Sequence, residues 1–433
     1  MNDESRLNPS RKSTVSWILY DFANTIYSMN VVTMYFSTWL IVDLQFSDSF
    51  VSYANSISMI FVALTMPILG EISDRYRRKM PFLIFYTIAC ILATAGIGIS
   101  GQLIGDQSVM ILFAVLFFVI ANYSYQGGLV FYNALLPQVT SERSMGRVSG
   151  YGVAVGYMGS ILGLVFVLPF VEGNIYGLEI PFIPARGSVA SFVPTAVLFL
   201  IFAIPIFIFV KDPPAKYKIT QMRLNIVQSF KKVVEGLTNT RKYPGVTRFL
   251  IAKYFYEDAI QTVIIFMAVY AQKVMEFSKP ETTTFFIAVI PSAIVGSALF
   301  GIITDNIGPK KALTIVLWGW IINLMLLILT MNTVVFWILG CITGIFLGST
   351  WTSARPLLIS LVPKEMLGEF FGLYSFSGKV AAIAGPLVWA LVVELFESRG
   401  TVFKYKAAVG SLVIFIAIGL IILHKVPDIW KKK

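Results

Sequence analysis

The chain has 433 residues, of which 57% are apolar and only 13% charged, with a formal net charge of +11; its mean hydropathy is +0.77. Water-soluble domains do not carry this composition, and the length leaves room for about twelve membrane spans with short loops but for no sizeable soluble domain beside them. One histidine and two cysteines give a histidine metal site, a Ser/His/Asp triad or a disulfide framework almost nothing to build on, so no metal, no cofactor and no enzymatic activity are expected.

The polar start MNDESRLNPSRKST runs into an apolar stretch too long for a signal peptide and without a small-residue cleavage site, so the first span is expected to stay. Span-length apolar runs then recur over 14–42, 50–69, 80–100, 108–134, 148–171, 189–210, 248–272, 283–303, 312–331, 334–361, 369–396 and 405–424. Cys90 and Cys341 fall inside such runs and read as core packing. Alternate loops collect Arg6, Arg11 and Lys12, then DRYRRK, Arg143 and Arg147, the 211–246 segment, Lys310, Lys311, Lys364 and the WKKK tail. The other loops keep only Arg186, Lys273, Lys279, Arg399, Lys404 and Lys406. Positive charge stays on the cytoplasmic side, which places both termini there and accounts for the basic balance with no nucleic-acid partner. The long basic segment divides the chain into 1–210, a cytoplasmic linker 211–246, and 247–433. Leu224, Val227, Phe230 and Val234 within it have amphipathic spacing, so it is either a surface helix or a plain linker.

Two internal matches relate the halves. GEISDRYRRK from Gly70 resembles GIITDNIGPKK from Gly301, and LLPQVTSERSMGRVSG from Leu135 aligns without gaps on LLISLVPKEMLGEFFG from Leu357. The offsets are 231 and 222 residues, so two parallel six-helix repeats are the economical reading.

The G-x-x-x-D-R-x-x-R-K loop, its degenerate second copy and the six-plus-six layout resemble the major facilitator superfamily. WILYDFANTIYS, YNALLP from Tyr132, GYMGS from Gly156, FLIAKYFYEDAIQTVI from Phe249 and EFFGLYSFSGKVAAIAGPL from Glu369 resemble its vacuole-effluxer-like branch, which includes an autophagy-linked vacuolar amino-acid exporter of yeast. One departure is Arg77, which stands where the superfamily pattern has glycine, so a different or looser turn is expected there. The resemblance implies an all-α polytopic membrane protein of twelve transmembrane helices in two pseudo-symmetric six-helix bundles.

Candidate site residues follow from polar groups at membrane depth, where a charge costs about 2.5–3.5 kcal/mol even on the lenient insertion scale. Asp21, Asn24, Thr25 and Ser28 sit at i, i+3, i+4 and i+7 of span one, one helical face. The resemblance implies that spans one, four, seven and ten line the central cavity. Span four carries Asn122, Tyr125, Gln126, Tyr132 and Asn133. Span seven carries Glu257, Asp258, Gln261 and Thr262; span ten carries Trp351, Ser353 and Arg355, whose repeat counterpart is Asn133; span eleven adds Lys379 near the midplane. Asp21 is either an interfacial group bonded to a neighbouring helix or a substrate- or proton-coupling group, and Lys379 is either a site residue or a strut. Glu257 and Asp258 are adjacent and cannot share a face, so Glu257 is expected in an i,i+4 pair with Lys253.

By analogy with the superfamily, Asp74 would meet the start of span eleven and Asp305 the start of span five, with Arg75 and Glu369 in the same latch. Arg77, Arg78 and Lys79 read as charges that enforce topology. No G-x-x-x-x-G-K-[ST] loop supports ATP use. The expectation is a monomeric secondary transporter in the bacterial cytoplasmic membrane. It moves a small polar solute, amino acids among the candidates, by rocking of its two halves, with protons as the simplest coupling ion. An uncoupled facilitator, and a receptor or scaffold with a transporter fold, remain as alternatives.

Overall fold

The computed structural model describes residues 10–46, 48–175, 178–179, 187–213 and 243–430. Twelve long helices run through them. The first, α1 (Arg11–Tyr27), continues through π-helical turns at Ser28–Tyr35 and Thr38–Asp43; then follow α2 (Asp48–Tyr76), α3 (Met80–Leu103), α4 (Gln107–Ala134), α5 (Met145–Glu172) and α6 (Phe192–Phe209). The second six are α7 (Pro244–Val274), α8 (Lys279–Ile307), α9 (Pro309–Leu329), α10 (Thr333–Leu361), α11 (Leu367–Leu395) and α12 (Thr401–His424). A two-residue antiparallel ladder, Asn174–Ile175 with Leu178–Glu179, follows α5. The surface-helix reading of 224–234 and the loop charge Arg186 fall outside the described residues.

Local chemistry sets the helix starts. Ser10 Oγ accepts the Ser13 N–H at 3.1 Å, Asp106 caps Val109 at 3.0 Å, Asn332 caps Val334 and Val335, and Ser278 with Glu281 forms a reciprocal capping box. Prolines stand in the first turns of α3, α7, α8 and α9, where no intrahelical N–H is needed. Nine segments among the described residues, those of α2–α6, α8–α10 and α12, are long and apolar enough to cross a membrane. The polar stripes lie on α1 and α7. Large side chains such as Phe85, Leu103, Leu116, Ile264, Ile265, Leu391 and Ile421 point outward and exposed, as a bilayer solvent requires. This is a multi-pass membrane protein.

Several helices outrun their predicted spans. GEISD and GIITD, read from the sequence as loops, are the closing turns of α2 and α8. Backbone hydrogen bonding continues past the apolar stretch, and in α2 the Glu71–Arg75 pair supports the extension. Arg77 corrects the expectation of a looser turn. It takes φ +53°, while its N–H bonds Asp74 O at 3.1 Å and the Arg78 N–H bonds Ser73 O at 2.9 Å, a tight Schellman closure with arginine in the left-handed place. Gly308, 231 residues later, closes α8 with φ +90°.

By packing, the chain forms two compact units, Met1–Ser141 with Val155–Asn225, and Glu142–Ala154 with Ile226–Lys433. In the first, α6 packs on α1 and α3, and α4 on α2 and α3. In the second, α12 packs on α7 and α9, and α10 on α8 and α9, so the packing repeats with the sequence. The first core is aromatic, with Trp17 stacked on Tyr132 at 4.4 Å and Phe36 on Phe118 at 3.9 Å. In the second, Phe285 stacks on Phe336 at 5.1 Å, and Trp320 Nε1 bonds Thr350 Oγ1 at 3.1 Å.

Candidate functional site

In the first unit, Trp17, Tyr20 and Tyr27, on the α1 face that also carries Asn24, reach aromatic side chains of α4. Trp17 Nε1 donates to Tyr132 O at 3.0 Å, Tyr20 lies 5.1 Å from Tyr132, and Tyr27 lies 5.0 Å from Tyr125. Among these anchored rings Asn24 is 2% exposed, and neither its Oδ1 nor its Nδ2 has a hydrogen-bond partner among the described residues. An unbonded buried amide costs about 1–3 kcal/mol. Most buried polar atoms of folded proteins are hydrogen-bonded, which sets Asn24 apart.

Asp21 is also buried, one turn before Asn24. The Thr25 hydroxyl donates to Asp21 O at 2.8 Å, and a methyl group on Gly156 of α5 would lie 2.9 Å from Thr25 Oγ1 and 3.6 Å from the Asp21 carboxyl carbon. Ser28 likewise turns its hydroxyl to Thr25 O at 3.3 Å. On α4, Gln126 is buried without a hydrogen bond to another described residue, and Asn133 Oδ1 is enclosed and without a partner among the described residues. Asn122, by contrast, is a strut, since its Nδ2 donates to Asn55 at 2.9 Å and to Ser58 at 2.8 Å.

In the second unit, α7 meets α11 at two glycines seven residues apart. At Gly378, Lys253 and Glu257 form a buried i,i+4 ion pair, and a methyl group there would lie 2.8 Å from Lys253 Nζ. The ammonium also donates to Tyr374 O at 3.2 Å and lies 3.9 Å from the centre of the Tyr374 ring. At Gly385, a methyl group would lie 2.8 Å from Asp258 Oδ1. Asp258 has no exposed surface, and neither carboxylate oxygen has a hydrogen bond of ordinary geometry among the described residues. The Gly385 N–H faces it, and the Thr262 hydroxyl is committed to Asp258 O at 2.7 Å. Gln261 is half-buried, as is Arg355, which lies within electrostatic reach of Tyr374. Lys379 is on α11, with its side chain outside the described residues. Ser353 is a strut to Thr304 at 3.0 Å.

The helix ends carry paired charges. Arg75 grips both oxygens of Glu71 at 2.9 Å, and Asp74 pairs with Lys79 Nζ at 2.8 Å, both buried. Lys79 is therefore more than a topology charge. Asp212, beyond α6, accepts the Lys79 N–H at 2.9 Å and the Met80 N–H at 3.1 Å, closing the start of α3. Burial pushes the Asp212 carboxyl above the usual carboxylate range, and those N–H bonds pull it partly back. In the second unit, Asp305 accepts the Gly146 N–H at 2.7 Å, the Arg147 N–H at 3.1 Å and Arg147 Nε at 2.9 Å. Glu369 is buried in the first turn of α11.

Sequence reasoning missed Tyr374, the glycines of α11, Glu71 and Asp212. The seven-residue glycine spacing was a readable signal for a close α7–α11 approach; the Asp212 cap, 133 residues from its partner, left none.

Residues 39–431 match the family described as vacuole effluxer Atg22 like. The chain is 29% identical over 424 residues to an uncharacterized MFS-type transporter, YxiO, of Bacillus subtilis (strain 168), covering 96% of this chain and 95% of that one. It is 23% identical to autophagy-related protein 22 of Kluyveromyces lactis, over 91% and 82% of the two chains. Its fold is similar to that of the proton:xylose symporter XylE, with a TM-score of 0.69 at 13% identity over 98% of this chain and 97% of that one. The chain belongs to the vacuole effluxer Atg22-like family and is a secondary transporter of the major facilitator fold.

Proposed function

We propose that this transporter moves a small zwitterionic solute of the amino-acid class by alternating access, coupled to protons, with both termini in the cytoplasm. The observation that carries the reading is the pair of unsatisfied groups, Asn24 in the first unit and Asp258 in the second, each fully enclosed on a span that carries its unit's polar stripe. Asn24 offers one donor side and one acceptor side, and with Gln126 and Asn133 it can orient a polar solute without fixing its charge. Arg355 supplies a planar cation suited to a carboxylate. Asp258, with no cation partner among the described residues, is the group assigned to the coupling proton; Asp21 helps hold α1 on α5. The fold relative XylE is a proton symporter, and its coupling supports the same kind of energy source here. The loop charges support the orientation. Asp74, Arg75, Asp305 and Glu369 are assigned to gating.

The test is uptake of radiolabelled amino acids into proteoliposomes with and without an imposed proton gradient, after a thermal-shift screen has identified the solute. Accumulation against the solute gradient only when protons are supplied supports the reading. Equilibration without accumulation would mean a facilitator, and no uptake of any solute that raises the melting temperature would mean a receptor.

A further inference from the structure

Beyond α12 the chain folds back as a short strap, residues 425–430, across the ends of α7 and α9. Pro427 lies against Gly245, where a methyl group would sit 2.8 Å from its ring, and the Arg248 guanidinium donates to Lys425 O at 3.0 Å. Lys310 Nζ donates to His424 O at 3.0 Å, and Lys311 lies 3.9 Å from Asp428. The Trp430 indole covers Gly308, so close that a methyl group there would lie 2.8 Å from it. Gly308 closes the helix that carries Asp305 three residues earlier.

The charges in this cluster do not balance. Arg248 and Lys310 bond neutral carbonyls, Lys425 is exposed, and among the described residues Lys311, 67% exposed, has only a long contact to Asp428. Among the described residues, four cations of this strap thus face one carboxylate. Ile429, 51% exposed, lies beside the partly exposed Trp430, and the sequence continues with three lysines. Cations around exposed aliphatic and indole side chains at the end of membrane-spanning helices match the boundary of an anionic bilayer, where phosphate meets acyl chain.

We propose that the strap and the first turns of α7 and α9 form a binding surface for anionic phospholipid headgroups, and that a bound headgroup braces the Gly308 turn and the Asp305 contact behind it. A headgroup phosphate takes Arg248, Lys311 and Lys425, while Ile429 enters the acyl boundary and the Trp430 indole stays on Gly308. The strap then presses on Gly308 and holds the end of α8 still. This surface does not depend on what solute the protein carries.

The test uses the full chain purified in neutral detergent and titrated with phosphatidylglycerol, with phosphatidylcholine and inorganic phosphate as controls. Lipid retention is read by native mass spectrometry and amide exchange over residues 301–311 by mass spectrometry. Phosphatidylglycerol is expected to be retained and to slow exchange in that segment, less so at high salt. Arg248→Gln with Lys311→Gln should weaken retention on the order of fivefold per charge removed, while Arg248→Lys with Lys311→Arg, which keeps both charges, retains it. Trp430→Ala should keep the lipid but lose the slowed exchange. Equal protection by phosphatidylcholine, or by inorganic phosphate alone, would overturn the headgroup surface. Undiminished retention in the double glutamine variant would do the same, and slowed exchange surviving in Trp430→Ala would overturn the brace.

Discussion

The Asp305 carboxylate lies 2.7 Å from the backbone nitrogen of Gly146, and its second oxygen takes both the backbone N–H and the Nε of Arg147. A carboxylate here satisfies free N–H groups in the first turn of α5 and is favoured by the positive end of that helix. Asp305→Asn removes the charge and turns at least one amide hydrogen toward these donors. With charge-assisted bonds worth about 1.5–3 kcal/mol, transport should fall roughly tenfold or more, while membrane insertion and expression stay near normal. Initial uptake rates normalised to purified protein check this, and an unchanged rate would remove Asp305 from gating. Gly146→Ala should be equally damaging for a steric reason, since its methyl group would meet Asp305 Oδ1 and Gly301 O at 2.7 Å.

Arg77 provides a test of backbone strain. A non-glycine residue at φ +53° costs roughly 1–2 kcal/mol, and glycine gives back roughly 0.5–1 kcal/mol through the unfolded chain. Arg77→Gly should therefore be neutral to slightly stabilising, Arg77→Ala close to the parent, and Arg77→Val clearly destabilised by its β-branch. Melting temperatures of the three variants in one detergent give the order. A glycine variant less stable than the valine variant would mean that the arginine side chain, not the turn, governs this position.

The Lys253–Glu257 pair predicts strong non-additivity. Removing either partner leaves an uncompensated charge in a buried site, at about 3–5 kcal/mol. Lys253→Met and Glu257→Gln should each lower thermal stability severely, and the double variant should recover most of the loss. A double variant as unstable as the sum of the singles would mean the two groups act independently, and that the Tyr374 carbonyl and ring hold Lys253 without its acid.

The spans, the repeat and the i,i+4 pair were legible because each follows from local pattern: hydropathy over about twenty residues, a fixed offset, and helical spacing. The stripe Asp21, Asn24, Thr25, Ser28 was also legible as a face, but not the separate fates of its members. Thr25 and Ser28 satisfy themselves on their own helix backbone, as hydroxyls in apolar helices do, and of this stripe Asn24 has both polar atoms without a hydrogen bond among the described residues. Asn122 and Ser353 looked equivalent to Gln126 in sequence, yet both are bonded to neighbouring helices. Which polar side chain finds a partner depends on the rotation of a distant helix, and no spacing within one span encodes that.

The same distinction separates the two candidate acids. Asp21 sits against α5 with Gly156 facing its carboxyl carbon, and Asp258 sits against Gly385, whose N–H faces it, with neither oxygen in a hydrogen bond of ordinary geometry among the described residues. Asp258→Asn keeps the volume and removes the exchangeable proton. If Asp258 carries the coupling proton, this variant should lose gradient-driven accumulation and its dependence on external pH, while exchange of labelled for unlabelled solute survives, because exchange never requires the unloaded carrier to return. Asp21→Asn should instead weaken the α1–α5 contact, lowering the melting temperature and reducing accumulation and exchange together. Both variants are measured for both modes at two external pH values. Normal pH-dependent accumulation in Asp258→Asn would dismiss that residue as the carrier. If Asp21→Asn alone then lost accumulation with intact stability and exchange, the proton would belong to α1; if neither did, the transporter would not be coupled through these acids at all.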